Sequence, residues 1–370
     1  MPSTRRSART ASSSPISVNA LSVPYDVLIM IIKLVPRPIE LGMYQDRVRH
    51  PADIKALRQL SLVSHLFRSI AQPILYSNIH VTFCNMARLA ASEAYSRYRV
   101  KELTLDRSHE PARFSLAKES KLSAAQKALI EGAGQRGLES LSVTGSGRGF
   151  DANLLSLAGP NLKALALNNT IVQGDEPAAG WSMPYQLVHL SLRHASITNP
   201  FLSFLVTSNP TLQSLEILSP GPGPGIGDFY TYAAFPSLAA QIKSLAIQEV
   251  HRGYLHVLSH FTSVERLAIF PPYVLMERTL DILEGLPGAE GMVTHLTLNA
   301  QEHDLLQEPE EAESFQARWQ KIMRSDVLKA LKVVTWTRVG ESEGRRIGFL
   351  SAGREADVTM KWGITPSTPR

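Results

Sequence analysis

The chain has 370 residues and a formal net charge of +5, with 44% hydrophobic and 19% charged residues. This composition is typical of a globular protein, and no apolar run approaches the roughly 18 residues that a membrane span needs, so we expect no membrane partner. Lysines and arginines are spread along the chain instead of forming the dense basic stripe of a nucleic-acid-binding protein, so we expect no nucleic-acid partner either. The single cysteine, Cys84, cannot form an internal disulfide, and we predict a buried thiol in a reducing compartment.

The N-terminal segment, residues 1–16, carries arginines and many serines but no acidic residue. Such a segment has too few apolar side chains to offset the entropy lost on ordering, so we predict a disordered basic tail. The same composition also suits a mitochondrial presequence. A mitochondrial location is therefore the alternative to the cytoplasm and/or nucleus.

Two stretches between residues 17 and 81 have apolar residues at helical spacing. The first begins at Pro24, which suits a first helical turn, and ends before Pro36. A polar, proline-punctuated loop follows, and the second stretch runs from Asp53 to a predicted stop at Pro73. Residues 28–32 are all apolar, which puts apolar surface around most of the first helix. We expect another protein to cover part of that surface, although these helices could also simply cap the rest of the chain.

Three motifs in this region resemble a known family. Val23-Pro24-x-Asp26-Val27-Leu28-x-x-Ile31-Ile32, followed by Leu62-Val63-Ser64-x-x-Phe67-Arg68 and Pro73-x-Leu75-Tyr76, is similar to an F-box, especially the form common in fungal F-box proteins. The resemblance implies a three-helix module over residues 17–81 that docks on the Skp adaptor of a cullin–RING ubiquitin ligase. It implies adaptor contacts at Pro24, Val27, Leu28, Ile31, Ile32, Leu57, Leu62, Val63 and Phe67. The chain departs from the family at Val23, where leucine is usual, and in the length of the loop between the helices.

An apolar pattern recurs nine times between residues 100 and 336, beginning with Val100, Leu103 and Leu105. The second and third residues of each copy are two positions apart, which marks a short strand. Residues 87–98 read as a helix that links the N-terminal module to the first copy. The segments between copies read as helical or irregular returns, over 114–132, 151–157, 201–207, 254–261, 274–286 and 314–331. We therefore predict an α/β fold: a small all-α module, then a leucine-rich-repeat-like solenoid over 82–340 with parallel strands on its concave face, then a cap and tail over 341–370. The asparagine that follows the strand in leucine-rich repeats is absent, so the turns must be held in another way.

The residues that flank the middle apolar position of each copy should face out of the strands and pave the concave surface. They form a mixed polar, basic and aromatic surface of the kind that binds a protein partner. The candidates for contact with a target protein are Asp106, His189, Arg193, Gln248, Arg266, Phe270, His295 and Asn299.

The remaining motifs do not match phosphate-binding, metal-binding or catalytic patterns. The glycine-rich stretches 145–149 and 221–227 follow strands but lack the phosphate and dinucleotide signatures, so we interpret them as turns. His251, His256 and His260 have poor spacing for a metal site, and an acidic run over 302–313 is typical of a solvated loop. No nucleophile–base pairing can be read from the spacing, so we expect no metal, no cofactor and no catalysis by this chain.

These predictions converge on the substrate-recognition subunit of a Skp–cullin–F-box ubiquitin ligase. The N-terminal helices would hold the adaptor, and the solenoid would hold a target protein whose identity the sequence does not reveal. The alternative is a leucine-rich-repeat scaffold or binding protein with no ligase role. A further alternative is an enzyme whose site is assembled from residues far apart in the sequence.

Overall fold

The parallel β-sheet dominates the fold. The computed structural model describes residues 51–108, 116–145, 149–173, 183–218, 236–248, 260–270, 280, 283, 293–299, 317–324, 326–337 and 357–363. Within these residues eleven strands form one sheet whose spatial order follows the order along the chain. Every strand pair in it is parallel. The predicted α/β class and the parallel pairing are confirmed.

Two packed helices precede the sheet, α1 (Pro51–Val63) and α2 (His65–Ser77). Ser64 separates them and caps α2, because its side-chain oxygen accepts a hydrogen bond from the backbone N–H of Phe67 at 3.3 Å. The predicted helix stop at Pro73 is wrong, since α2 continues to Ser77. A proline removes one intrahelical hydrogen bond, and packing of α2 against α1 compensates for that loss.

The sheet begins immediately after α2, with β1 (Asn78–Thr82). Two short helices, α3 (Phe83–Ala90) and α4 (Glu93–Arg97), then stand where a single linking helix over 87–98 was predicted. Cys84 lies in the first turn of α3 and is exposed, so the prediction of a buried thiol is wrong. The apolar residues of α3 face the sheet on the side of Met86, and Cys84 lies on the other side of the helix.

All nine predicted strands are confirmed, each five residues long. They are β2 (Glu102–Asp106), β3 (Ser140–Thr144), β5 (Ala164–Asn168), β7 (His189–Arg193), β8 (Ser214–Leu218), β9 (Ser244–Gln248), β10 (Arg266–Phe270), β11 (His295–Asn299) and β12 (Val333–Thr337). Their middle apolar residues are register partners from one strand to the next, beginning with Leu103, Leu141 and Leu165. The recurring sequence pattern therefore repeats in register across the sheet.

The sheet extends past the predicted limits of 82 and 340 at both ends. β1 pairs with β2, and β13 (Thr359–Gly363) pairs with β12. The spacing of Tyr76, Ile79 and Val81 matches the recurring pattern, so β1 is a further copy of it that precedes the nine copies between residues 100 and 336. A separate two-stranded sheet joins β4 (Gly149–Asp151) to β6 (Ile171–Gln173).

Helices connect the strands on one side of the sheet. They are α5 (Leu116–Gln135), a 3-10 helix (Ala152–Ala158), α6 (Asn199–Thr207), α7 (Pro236–Gln241), a helix over 317–323 and a 3-10 helix (Asp326–Leu328). They agree with the predicted returns over 114–132, 151–157, 201–207 and 314–331. Most of the predicted returns over 254–261 and 274–286 lies outside the described residues.

Two hydrophobic cores are present in the described part of the chain. The larger core runs the length of the sheet and buries the middle and third apolar residues of β2 to β11 together with bulky side chains such as Tyr185, Phe201 and Trp319. The smaller core, Leu57, Ile70 and Ala71, lies between α1 and α2. The helix pair therefore has a core of its own.

Backbone hydrogen bonds hold the turns that follow the strands. The N–H groups of Arg107, Gly145, Asn169 and His194 each donate to the carbonyl of the last residue of the next strand, over 2.7 to 2.9 Å. Asn169 and His194 have positive φ angles of 46° and 49°, which sharpen the turn. This backbone series replaces the missing asparagine of the leucine-rich-repeat pattern.

Candidate functional site

The exposed apolar surface of the helix pair is the first candidate site. Leu62 and Val63 at the end of α1 have exposed fractions of 76% and 66%, and Ile171 at 42% is the other large apolar side chain exposed in the described part of the chain. Phe67 is half-buried against the small core, whereas Leu57 is fully buried within it. Leu57 therefore packs α1 on α2 and is not available for direct contact with an adaptor.

The other predicted adaptor contacts, Pro24, Val27, Leu28, Ile31 and Ile32, lie outside the described residues, as do the predicted tail over 1–16, the glycine-rich stretch 221–227 and the acidic run 302–313. Leu62 and Val63 fall in the Leu-Val-Ser part of the motif that resembles an F-box. Two consecutive exposed apolar residues at a helix end form a surface that a partner protein can cover.

The second candidate site is the face of the sheet opposite the large core. Register places its residues in three columns, one for each outward position of a strand. His189, Arg266 and His295 belong to the first column, and their side chains are exposed. Arg266 and His295 are register partners on adjacent strands, whereas His189 is three strands away, roughly 14 Å at the usual strand spacing. Three residues of the predicted basic and aromatic surface thus lie along one column, and only Arg266 among them carries a fixed positive charge.

The third column consists of the last residue of each strand. It contains Asp106, Arg193, Gln248, Phe270 and Asn299, which are thus placed along one edge of the outward face. Asp106 and Arg193, whose side chains are described, both make ionic contacts within the sheet. These internal contacts were not foreseen from the sequence, because the partners are 23 or more residues away along the chain.

A buried carboxylate organises the middle of this face. Glu216 on β8 has an exposed fraction of 1% although it lies on the face opposite the core. Its Oε2 accepts a hydrogen bond from Ser191 Oγ at 2.6 Å, and its Oε1 accepts one from Arg193 Nε at 3.0 Å and forms an ion pair with Arg193 Nη2 at 2.9 Å. Arg193 is therefore held in place by the sheet, with a quarter of its side chain exposed to a partner (25%).

A second ionic cluster lies at the start of the sheet. Asp106 accepts hydrogen bonds from the N–H and Oγ of Ser108, and its Oδ2 lies 3.2 Å from His80 Nε2. Burial raises the pKa of the Asp106 carboxyl, but the hydrogen bonds from Ser108 and the contact with His80 outweigh burial, so this pKa lies below its usual value. Asp106 is therefore charged at neutral pH and tied to β1.

An open cleft at the first strand was not foreseen from the sequence. It has a volume of about 690 Å³ and is lined by all five residues of β1, by residues of α1 and α2, and by residues of α3. Its cationic lining groups are Arg58 and Arg88, with His80 between the helices, and its described lining contains no carboxylate. No sequence motif marks it, because it forms between three helices and a strand edge.

The described residues contain no group of three or more His, Cys, Asp and Glu side chains that could hold a metal ion. Of the three histidines at 251, 256 and 260, the structure describes His260 alone. In the described part of the chain no helix has the length and apolar character to cross a membrane.

Comparison with known proteins leaves the family open. No protein-family model and no curated protein matches this chain. The F-box resemblance consequently stays a prediction, based on the motifs between Val23 and Tyr76.

Proposed function

We propose that this chain is a substrate-recognition subunit of a Skp–cullin–F-box ubiquitin ligase. The observation that carries the proposal is the exposure of Leu62 and Val63 at the end of a helix pair with its own core, within the motif that resembles an F-box. Contact of these apolar side chains with water is unfavourable, so a partner surface that covers them gains binding free energy. The partner in this proposal is the Skp adaptor.

The long parallel sheet supplies the second half of the proposal. Strands that follow one another in chain order, with returns on one side, support a curved solenoid of the leucine-rich-repeat kind whose outward face holds a target protein. The positive charge of Arg266, in one column with the imidazoles of His189 and His295, favours an acidic target surface. Ubiquitin transfer itself is performed by the other ligase subunits, and this chain contributes by positioning the target. We place this assembly in the cytoplasm and/or nucleus.

Adaptor binding tests the proposal directly. In a pull-down with purified Skp adaptor, we expect the full chain to bind and Leu62→Asp with Val63→Asp to weaken binding by about tenfold or more, because a charge would be buried at the interface. Ile171→Asp is the matched control, since it removes an exposed apolar side chain from β6, remote in sequence from the helix pair. We expect it to bind like the wild type.

Failure of the folded wild-type chain to bind the adaptor would overturn the ligase proposal. Equal loss of binding in Ile171→Asp would show that the helix pair is not the contact surface. Because Leu62 and Val63 are exposed, the double substitution leaves both cores intact, and a thermal melt checks this. The scaffold alternative, which the outward face of the sheet favours, would then stand.

A further inference from the structure

We infer that the outer edge of β1, the first strand of the sheet in the described part of the chain, accepts an extended acidic peptide segment from a partner protein as an added parallel or antiparallel strand. This binding mode uses backbone hydrogen bonds for affinity and flanking side chains for specificity. It is distinct from the proposed adaptor contacts Leu62 and Val63, neither of which lines the cleft, and from the target surface, since it uses the edge of the sheet.

The strand register shows which N–H and C=O groups of β1 point away from β2. Arg107 N–H donates to the carbonyl of Thr144 on β3, so alternate residues of β2 bond to β3 and the residues between them, including Thr104, face β1. The register partner of Thr104 is His80. In a parallel pair a residue bonds to the two neighbours of its register partner, so Ile79 and Val81 bond to β2. The N–H and C=O of His80 therefore point away from β2.

The cleft lies on that outer side. All five residues of β1 line it and no residue of β2 does, and within the described part of the chain β1 is the first strand of the sheet. Thr82 directs its N–H the same way, since it is two residues from His80. The edge donors and acceptor of β1 thus face an open volume of about 690 Å³, which has room for an extended segment of a few residues.

The lining specifies the chemistry of the occupant. Ile54, Leu75 and Leu89 provide apolar contacts, and Arg58 on α1 and Arg88 on α3 contribute guanidinium groups to the lining. Arg88 donates to Asn85 Oδ1 at 2.9 Å, which is a neutral partner, and the described lining of the cleft contains no carboxylate. His80 is paired with Asp106, so the arginines carry the net charge. Acidic side chains that alternate with apolar ones match this lining.

The same charges disfavour residues 1–16 of the chain itself as the occupant. Residues 1–16 contain Arg5, Arg6 and Arg9 and no acidic residue, and two like-charged surfaces repel each other. A partner protein with an acidic extended segment is therefore the occupant to which the cleft is complementary.

The test uses the full chain and a fluorescein-labelled peptide of alternating glutamate and valine, with a lysine–valine peptide for comparison. We expect fluorescence anisotropy to report binding of the acidic peptide alone. Arg58→Glu with Arg88→Glu should weaken it by about tenfold or more, whereas Lys55→Glu, an exposed residue of α1 outside the cleft lining, should change it by less than about twofold. Failure of the acidic peptide to bind, or equal binding of the lysine peptide, would overturn the proposal.

Strand addition is separated from simple charge attraction by comparing His80→Pro with His80→Ala. Both remove the imidazole, but proline also removes the edge N–H while leaving the bonds of Ile79 and Val81 to β2, a change that an edge strand tolerates. We expect the proline variant to bind the peptide about tenfold more weakly than the alanine variant. Equal affinities would overturn strand addition.

Amide hydrogen exchange gives a readout that needs no variant. We expect the His80 and Thr82 amides of the wild-type chain to exchange more slowly when the acidic peptide is bound. Unchanged exchange at both amides with peptide bound would overturn the proposal, as would a dimer of the chain in solution that protects them without peptide.

Discussion

Glu216 shows how a single residue can change the interpretation of a surface. Its position beside the middle apolar residue of β8 predicted a side chain that faces out of the strand, yet Glu216 is buried there and bonded to Ser191 and Arg193. Arg193 was a candidate for target contact, and the structure adds a second role, neutralising a buried carboxylate. Removal of either partner leaves the other charge buried without compensation. The free energy of unfolding then falls, so the pair must stay intact.

We predict that Arg193→Ala lowers the free energy of unfolding by about 2–4 kcal/mol, because it leaves the Glu216 carboxylate buried without its cation. Arg266→Ala is the matched control on the same face, since its side chain is exposed and should cost no more than about 0.5 kcal/mol. Urea denaturation measures both. If Arg193→Ala costs no more than Arg266→Ala, the pair has no structural role.

At the scale of the elements, backbone hydrogen bonds hold the turns that lack the asparagine of leucine-rich repeats. Gly145 is the second residue in the series of turn N–H donors, and it bonds to the carbonyl of Asn168 over 2.8 Å. A Cβ atom at Gly145 would lie 2.5 Å from the Asn169 carbonyl oxygen and 2.8 Å from Thr170 Oγ1. The close approach of two turns therefore requires glycine at this position.

We predict that Gly145→Ala destabilises the protein by about 1–3 kcal/mol, because the turn after β5 must shift to admit the methyl group. Gly132→Ala in α5 is the control, since its Cβ would meet only side-chain atoms, at 3.4 Å or more. Alanine favours a helix interior, so we expect that variant to be neutral or more stable by up to about 1 kcal/mol. Thermal denaturation of both variants checks the difference in sign, and equal melting temperatures would contradict it.

At the scale of the whole molecule, the two cores divide the described chain into a helix pair and a sheet. The core between α1 and α2 rests on Leu57, Ile70 and Ala71, whereas the core of the sheet is continuous from Ile79 to Val358. Regions with few buried apolar residues open at lower free energy than a large core does. The helix pair should therefore unfold separately from the sheet.

We predict that Leu57→Ala increases amide hydrogen exchange over residues 51–77 and leaves exchange in β7 and β8 unchanged. Leu190→Ala, at the middle of β7, should cost about 2–5 kcal/mol and increase exchange across the sheet, because it opens a cavity in the large core. Exchange measured by mass spectrometry separates the two regions. Increased exchange throughout the sheet in Leu57→Ala would show instead that the chain unfolds as one cooperative unit.

The sequence alone determined the nine strands, their parallel pairing and the sites of most return helices. It could do so because the apolar spacing of each copy is local, and because identical spacings in successive copies bury the same face of every strand. The helical pattern up to Pro73 is also local, so the sequence predicted it. The end of α2 at Ser77 depends on packing of α2 against α1, and helix propensities contain no information about that packing.

Only the tertiary structure decided the features that depend on contacts between distant residues. The first is the burial of Glu216, whose bonded partners Ser191 and Arg193 lie 25 and 23 residues away along the chain. The others are the exposure of Cys84 and the cleft along β1. Exposure and electrostatic environment follow from which segments meet in space, and the sequence pattern records only which residues can face a core. The motif between Leu62 and Phe67 was visible in the sequence, whereas the separation of exposed Leu62 from buried Leu57 required the fold.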